Sequence, residues 1–260
     1  MKNLICIAVL FICSCVQAQR LLPFDSLKLR EAQEMFADDY RNVYLYKNKD
    51  FSLTKYDSLG RQKGQLMFTL PFKIQSVQNP MNIFAFSENA QELRMVDQNL
   101  VEIQKVNIRQ KFGSVKMVFA EDLQQLWLLE ESTRRLLRYN FREDRILNSY
   151  SLKLEYEQVR DLHIFDNRIY VLFKDAFSVY NLKAERIFHT VMNGGKRILR
   201  ENDRIMVVNP DAVFRYTTHD LQKIFEVPGA AIVDKNSTHY FVIKQNKLYL
   251  YPAEQISAQP

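Results

Sequence analysis

Apolar residues in this chain fall into short alternating runs, each closed by a turn-forming polar residue. In Arg168–Glu185, Ile169–Phe173 and Phe177–Tyr180 flank a tight turn, and a second polar turn follows at Asn181. Short runs rich in β-branched and aromatic side chains, with a period of two, predict strands and argue against amphipathic helix. Strands as uniformly apolar as Ile169–Phe173 predict burial on both faces.

The same phrase returns along most of the chain. The units are Asn42–Tyr56, Asn82–Val96, Gln125–Tyr139, Arg168–Tyr180, Arg204–Tyr216 and His239–Tyr251. Their central bulky residues, Tyr44, Phe84, Trp127, Tyr170, Met206 and Phe241, are separated by 40, 43, 43, 36 and 35 positions. A second anchor (Tyr56, Val96, Tyr139, Tyr180, Tyr216 or Tyr251) follows after 12, 12, 12, 10, 10 and 10. After it, Asp57, Asp97, Asn140 and Asn181 are residues whose side chains bond back to a turn backbone.

A third strand then leaves the turn at Gly64–Leu70, Val101–Ile108, Ile146–Leu152, Ile187–Met192 and Lys223–Val227. Before each hairpin lies one more short strand: Met35–Asp39, Ile74–Asn79, Val115–Asp122, Val159–Asn167, Arg197–Asp203 and Ala231–Asn236. Four strands in a unit of about 40 residues are one blade of a β-propeller. The expectation is an all-β, six-bladed β-propeller with four antiparallel strands per blade, forming a single domain over residues 19–260. The sixth unit has no outer strand of its own, so Leu21–Leu29 is expected to supply it and close the ring, removing an exposed sheet edge. The rival for that region is an amphipathic helix over Ser26–Tyr40 capped by Ser26.

The stretch from Ile169 to Glu185, with a strand ending in Tyr180-Asn181 before a turn, resembles the blades of bacterial YVTN-, NHL- and PQQ-like propellers. The resemblance covers essentially the whole chain after the first 18 residues. It implies the fold and an exported bacterial protein, but no single function, because such propellers include lyases, lactonases, quinoproteins and scaffolds. The chain departs from these families in keeping the usual turn glycine only as Gly60. It lacks a Trp-Asp dipeptide and has one tryptophan, Trp127.

Composition narrows the setting. Residues 1–18 carry a positive start at Lys2, an apolar run Leu4–Val16 too short to span a bilayer comfortably, and Ala18 before a cleavage point at Gln19. This predicts a signal peptide and a periplasmic or secreted protein, with lipidation at Cys15 as the rival. No other stretch is long and apolar enough for an integral membrane helix. Cys6, Cys13 and Cys15 are the only cysteines, so the exported part is expected to hold together by packing alone. The formal charge of +6 drops by one when Lys2 is removed, and its dispersal suits a solvated surface.

Candidate chemistry sits where chain enters the inner strands. Lys73, Lys116, Arg160, Lys196 and Arg197 lie there, on the face that also carries the hairpin-turn acids Asp50, Glu88, Glu130, Glu131, Asp175 and Asp211. These bases form a partial cationic ring for a carboxylate, phosphate or acidic polymer, or they pair with the acids, each pair contributing about 0–1 kcal/mol. Of the four histidines only His163 falls on an inner strand, and their scatter gives no metal-ligand spacing. Asp38, Asp39, Asn79, Asp122, Asp166, Asp203 and Asp234 recur at the far end of the inner strands, as turn-bonding residues do.

No nucleophile elbow or phosphate cradle is present. The leading expectation is a monomeric, non-catalytic binding or scaffold module that uses no cofactor. Its ligand-binding residues are Lys73, Lys116, Arg160, His163, Asp175, Lys196 and Arg197, and its partner an envelope protein, an anionic glycan or a small molecule, not nucleic acid. The alternative is a lyase or hydrolase of the six-bladed type using His163.

Overall fold

A computed structural model describes residues 19–253. The signal peptide expected from the sequence, with its cleavage point and the Cys15 alternative, falls in or at the edge of residues 1–18, outside the described residues.

Six four-stranded antiparallel sheets follow one another around an axis. Strand β1 (Arg20–Leu22) and a helical turn α1 (Ser26–Arg30) precede blade one, which is β2 (Glu34–Ala37), β3 (Val43–Lys47), β4 (Ser52–Tyr56) and β5 (Gln62–Met67). Blade two is β6 (Lys73–Ile74), β7 (Ile83–Ser87), β8 (Glu92–Val96) and β9 (Glu102–Asn107). Blade three is β10 (Val115–Ala120), β11 (Gln125–Glu130), β12 (Arg135–Asn140) and β13 (Arg145–Ser151). Blade four is β14 (Val159–Phe165), β15 (Arg168–Phe173), β16 (Ala176–Asn181) and β17 (Arg186–Val191). Blade five is β18 (Arg197–Glu201), β19 (Arg204–Val208), β20 (Ala212–Tyr216) and β21 (Leu221–Glu226). Blade six is β22 (Ile232–Lys235), β23 (His239–Lys244) and β24 (Lys247–Pro252), completed by β1.

The ring therefore closes as the missing outer strand predicts. β1 pairs antiparallel with β24 through Arg20↔Leu250, Leu21↔Tyr249 and Leu22↔Leu248. It stops sooner than expected because Pro23 lacks a donor N–H. The Asp25 side chain then accepts the Leu27 N–H at 2.8 Å and starts α1. The helix rival thus survives only as α1, capped by Asp25 and not by Ser26.

The middle strands are buried on both faces, as their apolar runs require, while the outer strands β5, β9, β13 and β17 alternate exposed and half-buried residues. A buried cluster fills each of the six gaps between neighbouring blades. Tyr44 packs between blades one and two, Trp127 between three and four, and Tyr170 between four and five. Phe241 seals the six-to-one junction beside Leu22, Met35 and Leu45.

The polar punctuation is structural. Asp57 Oδ1 accepts the N–H groups of Leu59 and Arg61, Asp97 Oδ1 those of Asn99 and Val101, and Asn181 Oδ1 those of Lys183 and Glu185. In blades one to four the third and fourth strands share a register shift immediately before the second anchor, and in blade five the shift falls two residues earlier, between Val213 and Phe214. A bulge there adds local twist. At the inner-strand turns Asp38 is fully buried and accepts from Tyr40 N, Asn42 N, Asn42 Nδ2 and Tyr44 OH at 2.8–3.1 Å. Asp234 departs from the expected turn position: it lies within β22 and accepts the Ala37 N–H of blade one at 2.7 Å.

Candidate functional site: an acid-lined central cavity

The inner strands present one position whose partner is the anchor of the second strand. The register gives Phe36↔Tyr44, Phe119↔Trp127, His163↔Tyr170, Leu199↔Met206 and Asp234↔Phe241. In blade two the Gln75 N–H bonds to Phe84 O. Three blades are apolar here and three carry Gln75, His163 or Asp234. Gln75 bridges to the next blade, its Nε2 donating to Ala120 O at 3.0 Å and its Oε1 accepting from Ala120 N at 2.7 Å. Asp234 pairs with Arg197 of blade five. His163 stands in the wall of a cavity.

That cavity has a volume of about 720 Å³ and is built from the far ends of the inner strands and the turns after them. It spreads from the axis over blades three and four, where Trp127, Arg138 and Leu182 bound it. Its carboxylates are Asp39, Glu121, Asp122, Asp166 and Glu201, against the guanidinium groups of Arg138 and Arg200. Several are already engaged. Glu121 accepts from Trp127 Nε1 at 2.8 Å and from Arg138 Nε and Nη2 at 2.8 and 2.7 Å. Glu201 takes the Lys235 ammonium at 2.8 Å, and Asp39 accepts the Ser237 N–H. Asp166 makes no hydrogen bond or ion pair among the described residues, and Arg200 lies on the Phe165 ring at 4.5 Å.

His163 meets Phe119 edge-on at 4.4 Å, and its Nε2 is covered and has no hydrogen-bond partner. Burial, with a smaller push from the Arg200 charge, lowers its pKa to about 3, so the ring is neutral at physiological pH. The mouth is asymmetric. On the turns of blades one to three Tyr40, Met81 and Leu123 are 74%, 52% and 43% exposed. The corresponding turns of blades four to six carry Asp166-Asn167, Asn202-Asp203 and Ser237-Thr238.

The sequence-predicted residues lie mostly at the other end of the ring. Lys73 of blade two reaches past blade three to Asp161 of blade four at 3.0 Å and also donates to Arg160 O. Lys116 pairs with Glu88 at 2.8 Å. Arg197 is buried, pairs with Asp234 and donates from Nη1 to Met35 O of blade one at 3.0 Å. Lys73–Asp161 spans the inner ring past blade three, whereas Lys116–Glu88 and Arg197–Asp234 tie neighbouring blades. Lys196 and Arg197 come together at a smaller cavity of about 230 Å³ beside Asn209 and Glu34. Arg160 and Asp175 are exposed and line neither cavity. Only His163 reaches the large cavity.

Arg138, Arg200, Glu121 and Asp166 were not singled out as a site in the sequence. Aligning the inner strands on the second-strand anchor exposes Gln75, His163 and Asp234 as the polar exceptions at an apolar position. Among the described residues no group of three or more metal-ligating side chains converges.

No protein-family model matches the sequence, and no curated protein matches it. Solved structures share the fold. A streptogramin B lyase superposes with TM-score 0.54 and 14% identity over 90% of this chain and 87% of that one. Virginiamycin B lyase from Staphylococcus aureus gives 0.51 and 10% over 90% and 98%. BamB from Moraxella catarrhalis gives 0.46 and 9% over 84% of each chain. At these identities the likeness to the two lyases extends to the propeller fold and no further.

Proposed function

We propose that this chain is an exported, non-catalytic binding propeller whose partner, a protein of the cell envelope, docks on the turns around the large cavity. The observation that carries the reading is the mouth: exposed Tyr40, Met81 and Leu123 stand on the turns of blades one to three, on one side of a polar hollow that Leu123 also lines. Exposed apolar groups gathered at a concavity mark interaction sites. An anionic glycan is less well served, because carboxylates outnumber cations in the hollow and Lys73, Lys116 and Arg197 are neutralised by acids. The apolar run before Gln19 supports export. Among the described residues no helix is long and apolar enough to cross a membrane.

The lyase or hydrolase reading rests on His163, since lyases share this fold. Its chemistry is unfavourable. A general base works best with a pKa near the operating pH, and an imidazole held at about 3 is a weak one. No carboxylate hydrogen-bonds its ring to orient it, and the cavity acids Glu121 and Glu201 are tied to Arg138 and Lys235.

Photo-crosslinking tests the proposal. A benzophenone side chain is placed at Met81, on the mouth, or at Asp175, on the opposite face, and irradiated in cells. A discrete protein adduct from Met81 and none from Asp175 is expected. An adduct from Asp175 alone, or from neither position, overturns it.

A further inference from the structure

The cavity is acid-lined in a chain whose formal charge is +6. Beyond a Debye length of about 8 Å the net charge is screened at physiological ionic strength, so a docked segment responds to the local carboxylates and not to the distant lysines. A concave, low-dielectric wall focuses that local potential. The compensated acids, Glu121 and Glu201, contribute little. Asp39, Asp122 and Asp166 remain with no cation paired to any of them, the last two on neighbouring blades three and four, and Arg200 is the one lining guanidinium without an acid partner among the described residues. Asp122 uses Oδ1 to accept the Gln124 and Gln125 N–H groups at 2.7 Å and Oδ2 to accept from Gln125 Nε2 at 3.3 Å.

Two observations independent of charge point to an occupant. His163 Nε2 is buried and unpartnered in the cavity wall. An unmade hydrogen bond of that kind costs about 1–3 kcal/mol, and a neutral ring can make it to a peptide carbonyl or amide. Leu123 is both part of the lining and one of the exposed apolar residues of the mouth.

We infer that the cavity seats an extended stretch of polypeptide in which a lysine or arginine is flanked by apolar residues. The basic side chain lies between Asp122 and Asp166, a backbone group meets His163, and the apolar flank covers Leu123 and Met81. This rests on the reading of the chain as a protein-binding module and specifies the chemistry of the partner's docking segment.

Fluorescence anisotropy on the full chain tests it, with two labelled twelve-residue probes: an alternating Lys/Leu peptide and an alternating Glu/Leu peptide. The Lys/Leu peptide is expected to bind and the Glu/Leu peptide to bind at least about tenfold more weakly. The double variant Asp122→Asn, Asp166→Asn keeps the turn acceptors and removes the charges. It should weaken Lys/Leu binding about fivefold, the size expected of two partly exposed ion pairs. His163→Phe keeps the ring packing and should weaken it about threefold. Glu88→Gln, on the opposite face, should leave it unchanged.

Equal or tighter binding of the Glu/Leu peptide, binding of neither probe, or an equal loss in Glu88→Gln overturns the inference. If neither probe binds while the Met81 crosslink persists, only this choice of docking segment fails. Loss of both removes the binding-module reading as well.

Discussion

Ala184 occupies the turn position that glycine holds in blade one. In the turns after the third strand, Gly60, Leu100 and Ala184 each donate their N–H to the carbonyl of the turn's first residue, at 2.9, 3.0 and 3.0 Å. All three have positive φ, at 73°, 64° and 65°. An L-residue held there costs about 1–2 kcal/mol, offset in part by glycine's larger freedom in the unfolded chain. Ala184→Gly should therefore stabilise the protein by up to about 1 kcal/mol, seen as a rise in Tm of about 2–4 °C. Gly60→Ala should do the opposite, because an added Cβ would also stand 2.5 Å from Pro23 O. His163 makes a second residue-scale prediction. Its folded pKa, about 3, lies below the ordinary 6.5, so the unfolded chain binds a proton that the folded one refuses. Stability then falls as pH drops below about 6.5, by about 1.4 kcal/mol per unit for this one group. Between pH 6.5 and 5 most carboxylates stay ionised, and half-buried His239, lowered by burial and then by Arg41 and Arg20, adds a smaller slope of the same sign. His163→Phe should flatten most of the slope in a pH series of chemical denaturations; an unchanged slope would show that the ring is hydrated in solution.

At the scale of the element, β1 is three residues long and yet completes a sheet. Leu22 is 5% exposed and packs with Phe241, Leu248 and Met35, whereas Leu21 on the other face is 53% exposed. Leu22→Ala should cost about 2–4 kcal/mol as a buried truncation, while Leu21→Ala should stay within about 0.5 kcal/mol; Tm shifts of equal size would contradict the closure. The strands were legible because every blade repeats one pattern of apolar anchors and turn acids, so six imperfect copies reinforce one another. Boundaries were less so. β6 was expected over Ile74–Asn79 but is Lys73–Ile74, because after Gln75 the chain turns aside through Ser76 and Asn79, whose side chains accept the Gln78 and Met81 N–H groups. The N-terminal segment, read as a strand over Leu21–Leu29 or as a helix over Ser26–Tyr40, holds a short piece of each, since Pro23 and Asp25 are single-residue decisions that no periodicity announces.

At the scale of the whole molecule, what local pattern could not foretell is which end of the ring is open. That depends on pairs between blades distant in sequence: Lys73 with Asp161 across blade three, and Arg197 with Asp234 at the junction of blades five, six and one. The same bases that read as a cationic ring in the sequence become internal ties once the inner strands converge, and the hollow is left at the turn end. The Arg197 tie is the more consequential, because it lies beside the junction that no covalent link closes. Its guanidinium stacks over Phe36 at 4.4 Å and donates to Met35 O, and Asp234 in turn accepts the Ala37 N–H. Burial pushes the Asp234 carboxyl upward against the pull of Arg197, so each charge is tolerable only in the presence of the other. Arg197→Ala should thus cost about 3–5 kcal/mol, the penalty of a buried carboxylate left without its cation. Arg197→Met combined with Asp234→Asn retains an acceptor for Ala37 and fills the volume. It should be more stable than Arg197→Ala by at least about 2 kcal/mol, since the remaining groups no longer carry charge. Urea denaturation of the two variants and of Asp234→Asn alone resolves the coupling. If Arg197→Ala unfolds within about 1 kcal/mol of the parent, the pair is hydrated and does not hold the ring, and closure must rest on the Phe241 cluster and β1.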